Sequence, residues 1–141
     1  MSSNRVPVEN FIGTPFKGCG AGGRDCWELV KAIYLECYEV DIPMTYDIAH
    51  DATIRVSRAF IAAKMNPANW KPLDSPQDPC VVAIANHPDH PELVNHCGIY
   101  IGNGFFIHAR QATGAVMERI ASPLWERKIR GYYKWIGAPA K

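Results

Sequence analysis

The spacing of apolar positions changes along the chain. Between residues 25 and 38, Leu29, Val30, Ile33, Tyr34 and Cys37 recur every three or four residues, which predicts one buried helical face. Asp25 suits the N-cap of that helix, and Glu28 three residues on completes a capping-box pattern. Cys26 opens the same inward face. Residues 46–65 carry a broken helical pattern, predicting one or two helices, and the proline-rich stretch 66–79 reads as a surface loop. From residue 80 the apolar runs become short. Stretches 80–85, 95–101, 105–110, 115–120 and 131–136 are separated by turn residues and predict strands of an antiparallel meander. Helices first and strands after predict one α+β domain over residues 1–141, with N-terminal helices packed on an antiparallel β-sheet.

The two runs flanking Asn103 and Gly104 admit two registers. A plain two-residue turn pairs Ile99 with His108 and leaves His96 and His108 on opposite faces. A three-residue turn over 102–104, with Gly104 left-handed, shifts the pairing by one. Cys97, Ile99, Ile101, Phe105, Ile107 and Ala109 then form an apolar face, and His96, Gly98, Tyr100, Phe106, His108 and Arg110 share the other. This register separates apolar from polar positions better, so it is the one predicted. It sets His108 opposite Gly98, where the missing side chain leaves room for a neighbouring backbone. The helix terminus at Cys26 is the expected occupant.

Composition narrows the chemistry. A chain of 141 residues, 48% hydrophobic and 21% charged, is ordinary for a globular domain with a sizeable core. A net charge of +1 gives no global reason to expect nucleic acid or an anionic membrane as partner. Arg127, Lys128, Arg130 and Lys134 read as a solvated surface. No apolar run reaches the ~20 residues that span a bilayer, and the first ten residues lack the apolar core of a secretory signal. The five cysteines lack paired spacing, which argues against a disulfide scaffold. Cys37, Cys80 and Cys97 fall on apolar positions and read as core; Cys19 lies in a glycine loop without an assigned role.

Cys26 is the cysteine whose position suggests reactivity. It stands where the stretch Gly18-Cys19-Gly20-Ala21-Gly22-Gly23 enters a helix, and a thiol in the first helical turn feels the positive end of the macrodipole. With His96 as general base and His108 to orient it, Cys26 has the parts of a cysteine nucleophile system. Backbone N–H groups at the helix start would hold the oxyanion. On spacing alone the alternative stays open: a cysteine capping a core helix, and two histidines on a polar strand face.

Other motifs carry less. The glycine stretch formally satisfies a dinucleotide fingerprint, yet no strand precedes it and no parallel strand follows the helix. His87 and His90, near Cys80, Cys97 and His96, match no common zinc spacing and sit among prolines, so no metal and no cofactor is expected. No serine stands in a G-x-S-x-G elbow.

Taken together, the segments 13–30 and 96–109 resemble the NlpC/P60 family of cell-wall cysteine peptidases, especially its phage and prophage members. The matching features are Gly13, Pro15 and the aromatic Phe16, the glycine loop, the Asp25-Cys26-Trp27 helix start with Leu29 and Val30, and the His96-Cys97-Gly98-Ile99-Tyr100-Ile101-Gly102 strand followed by Ile107-His108-Ala109. The resemblance implies a papain-like α+β core and hydrolysis of a peptide bond in the peptidoglycan stem, often between D-γ-glutamyl and a diamino acid. It makes Cys26 the nucleophile, His96 the base and His108 the third polar residue. Phe16, Asp25, Trp27 and Gly98 become substrate-binding candidates, with Phe16 standing where many members have tyrosine. The implied partners are stem peptides and, for a phage protein delivered with its particle, other tail proteins. Two alternatives accompany this reading: a tail-assembly protein with weak or no hydrolysis, and an acyltransferase or amidase using the same three residues.

Overall fold

The computed structural model describes residues 7–14, 26–42, 70–85, 96–110 and 113–137. Helix α1 (Cys26–Tyr38) forms where the apolar stripe predicts it. Leu29, Val30, Ile33, Tyr34 and Cys37 are all buried, while Leu35 on the far side is exposed. The helix ends at Glu39, whose φ of 61° is left-handed. There the N–H groups of Glu39 and Val40 still reach the carbonyls of Leu35 and Tyr34, satisfying acceptors at the helix end. The expected helices over 46–65 and the Asp25 cap lie outside the described residues.

Among the described residues, six strands make one antiparallel sheet: β1 (Trp70–Leu73), β2 (Cys80–Ile84), β3 (His96–Gly102), β4 (Phe105–Arg110), β5 (Gly114–Arg119) and β6 (Ile129–Trp135), in the order β1-β6-β2-β3-β4-β5. Alternation along the strands gives the sheet two different faces. On one, Val81, Ala83, Cys97, Ile99, Ile107 and Ala109 pack with the stripe of α1. On the other, Val82, Ile84 and Phe106 pack with Trp125 of the short helix α2 (Pro123–Glu126). Ser122 caps α2, its Oγ accepting from the Leu124 N–H.

Two expectations need correction here. The stretch 66–79 is not wholly a surface loop, because Trp70–Leu73 forms β1 and pairs with β6. Pro72 hid it: proline cannot donate to a ladder, but β1 is an edge strand and tolerates that loss. Trp70 anchors it, 3% exposed and edge-on to Trp135 at 5.0 Å. The second concerns the hairpin tip. Asn103 and Gly104 form a two-residue turn, both with positive φ, between paired Gly102 and Phe105. A bulge between Tyr100 and Gly102 then shifts the ladder by one, so that Gly98 faces His108 as predicted. The expected register is reached by turn plus bulge instead of a three-residue turn.

At the far edge, the N-terminal segment closes on β5. After a 3-10 turn at Val8–Phe11, the Gly13 N–H donates to the Ala115 carbonyl at 2.8 Å and the Ala115 N–H to the Thr14 carbonyl at 2.7 Å. Phe11 is buried beneath this segment, in the α1 core.

Candidate active site

The hairpin register brings His96 and His108 onto one face and into contact. His96 Nε2 lies 2.8 Å from His108 Nδ1, with the rings 70° apart. His96 opens β3 and is half-buried; His108, in the middle of β4, has no exposed surface. Its ring stacks on Phe106 at 4.6 Å and meets the edge of Trp125 at 4.6 Å.

A carboxylate that the sequence reading missed completes the cluster. Glu118 Oε2 lies 2.7 Å from His108 Nε2, and Glu118 Oε1 accepts from the indole Nε1 of Trp125 at 2.8 Å. Arg110 Nη1 stands 3.6 Å from the same carboxylate. Glu118 pairs with Phe106 across β4 and β5, and Val116 with His108, so the carboxylate is the diagonal neighbour of the histidine. That diagonal was the available signal. Trp125, which nothing in the sequence sets apart from the other tryptophans, encloses the cluster.

Electrostatics favour a neutral His108 beside a charged Glu118. Burial, reinforced by His96 and Arg110, lowers the His108 pKa to about 4 against the opposing pull of Glu118. For Glu118, burial pulls upward, but hydrogen bonds from Trp125 and His108 and the charge of Arg110 outweigh it, leaving the carboxyl below its ordinary value.

Cys26 is the first residue of α1, and α1 packs against β3 and β4. Its side chain, that of Trp27, and all of Cys19, Phe16 and Asp25 lie outside what the structure describes. Cys37, Cys80 and Cys97 are buried, as their apolar positions predict. Burial pushes Cys37 and Cys80 up to about 11, which makes them poor nucleophiles at neutral pH. A Cβ added at Gly98 would meet the Ile107 carbonyl oxygen, the Phe106 ring and the His108 Cβ, and Gly98 is itself buried. Among the described residues, no group of three or more His, Cys, Asp or Glu side chains is placed to hold a metal ion.

Comparison with known proteins identifies the family and the fold. The NlpC/P60 family pattern matches residues 13–134. The gamma-DL-glutamyl hydrolase of Bacillus subtilis (strain 168) is 26% identical over 133 residues, covering 89% of this chain and 28% of that protein. Among solved structures, an NlpC/P60 family protein of Bacillus cereus ATCC 10987 superposes with a TM-score of 0.59 at 23% identity, over 89% of this chain and 36% of the other. NlpC1 of Trichomonas vaginalis does so with a TM-score of 0.56 at 20% identity, over 90% and 42%. The chain thus spans well under half the length of each of these three proteins. The structural likeness establishes the papain-like α+β fold.

Proposed function

The chain belongs to the NlpC/P60 family, and from that premise we propose that it is a cysteine peptidase of the peptidoglycan stem. Its bond would be of the D-γ-glutamyl–diamino acid type, cut through a thioester acyl-enzyme. The similarity to a gamma-DL-glutamyl hydrolase supports the bond type. The observation that carries the reading is the His96–His108 contact at 2.8 Å, with His108 fully buried behind His96.

In the proposed reaction, His96 Nε2 is held by His108, and His96 Nδ1 takes the proton of the Cys26 thiol. The thiolate sulfur attacks the carbonyl carbon, and the tetrahedral oxyanion is held by backbone N–H groups at the start of α1. The C–N bond breaks as the imidazolium returns its proton to the leaving amine. Water, deprotonated by the same nitrogen, then attacks the thioester carbon. The C–S bond breaks, releasing the carboxylic acid and restoring the thiol.

The test is incubation of the protein and its Cys26→Ala variant with muropeptides, followed by mass spectrometry. Cleavage by the wild type alone is expected, and the fragment masses identify the bond. Equal release by Cys26→Ala would overturn the reading.

A further inference from the structure

We propose that Glu118, held by Trp125, is a positioning residue that fixes the direction of the proton chain through His108 to His96. The inference rests on His96 being the base of the proposed peptidase, but its physical content concerns tautomers and needs no substrate.

The direction of the chain follows from counting donors. The Trp125 indole nitrogen can only donate, and it donates to Glu118 Oε1. The other oxygen, Oε2, is left as an acceptor for His108 Nε2 at 2.7 Å, so that nitrogen must carry the hydrogen. A neutral imidazole has one N–H, and burial keeps His108 neutral. His108 Nδ1 is therefore bare and accepts from His96 Nε2–H at 2.8 Å. A neutral His96 that donates from Nε2 has its lone pair on Nδ1. The indole thus sets the carboxylate, the carboxylate sets the buried histidine, and that histidine presents the correct nitrogen of the base. When His96 takes a proton on Nδ1 during the reaction, the same chain places an anion two hydrogen bonds away.

Replacing Glu118 by glutamine tests this because an amide has one acceptor and one donor end. Facing Trp125 with its oxygen, the new amide would turn its NH2 toward His108 Nε2. His108 would then carry its hydrogen on Nδ1, and His96 Nε2 would have to accept, which puts the His96 hydrogen on the nitrogen needed as base. Removing the indole N–H as well, in Glu118→Gln/Trp125→Phe, lets the amide turn over and restores the original direction. A merely structural role for Glu118 predicts that the double variant is worse than either single one.

The experiment is 15N NMR of the histidine rings at neutral pH, together with kcat and KM on muropeptides. The wild type should show His108 protonated at Nε2, Glu118→Gln at Nδ1, and the double variant at Nε2 again. In step with this, kcat should fall about a hundredfold in Glu118→Gln with KM nearly unchanged, and recover about tenfold in the double variant. His108 carrying its hydrogen on Nδ1 in the wild type, or an unchanged tautomer in a folded Glu118→Gln, would overturn the proposal. The wild-type measurement decides even if Glu118→Gln does not fold. The expected tautomers without muropeptide cleavage would support this inference while removing the peptidase reading. Cleavage with the wrong tautomer would do the reverse.

Discussion

Gly98 stands directly opposite His108, and an added Cβ there would lie 3.0 Å from the His108 Cβ, 2.9 Å from the Phe106 ring and 2.8 Å from the Ile107 carbonyl oxygen. The last of these is backbone in a paired strand and cannot swing aside. Gly98→Ala should therefore cost about 1–3 kcal/mol, the range for overpacking. Because the displaced groups are the histidine and the ring beneath it, muropeptide turnover should fall more than folded population does. Urea denaturation beside a kcat measurement separates the two effects.

His108 gives stability a pH dependence with a definite sign. Its folded pKa of about 4 lies below the ordinary 6.5, so between those values the unfolded chain binds more protons than the folded one. The contribution is complete above pH ~6.5 and is lost as pH falls through about 4. It amounts to on the order of 3 kcal/mol for this fully buried ring. The lowered Glu118 carboxyl adds a loss of the same sign at the acid end. Unfolding free energy measured from pH 7 to pH 4 should drop steadily, and the slope should flatten in His108→Gln.

Trp125→Phe keeps an aromatic ring against His108 and Phe106 but removes the one hydrogen that Glu118 Oε1 receives from it. A loss of about 1 kcal/mol is expected for that hydrogen bond. The Glu118 carboxyl should titrate at higher pH than in the wild type, a change read directly by 13C NMR of the carboxyl carbon. An unchanged titration would mean the indole does not hold the charge.

Gly114 has a φ of 78°, and a Cβ on it would overlap the carbonyl oxygen of Thr14. Gly114→Ala should strain β5 at its first residue and push the Gly13–Thr14 backbone off the sheet edge. Hydrogen exchange of the Ala115 N–H, which now donates to Thr14 at 2.7 Å, should speed up by at least an order of magnitude.

Much of this arrangement was legible in the chain because it rests on period. The α1 stripe and the better of two hairpin registers both follow from sorting apolar from polar positions, and the register alone puts His96 and His108 on one face. Other parts depend on contacts that no local pattern encodes. Trp70–Leu73 is a strand because β6 offers an edge to Trp70, whereas its own sequence, with Pro72, argues for a loop. Glu118 alternates outward in β5 like any solvated glutamate; only the β4–β5 pairing makes it the diagonal neighbour of His108. Trp125 comes from a four-residue helix too short to leave a periodic trace.

The bulge at the tip of the β3–β4 hairpin bears on how this chain can change over time. It takes up one residue between Tyr100 and Phe105, so that Gly98 faces His108 although the turn itself has two residues. Losing Gly102 would let Ile101 pair with Phe105 across the same two-residue turn, and Gly98 would still face His108. A single-codon deletion at this tip should therefore spare the histidine pair, whereas a one-residue slip within β4 itself would turn His108 toward the α1 core.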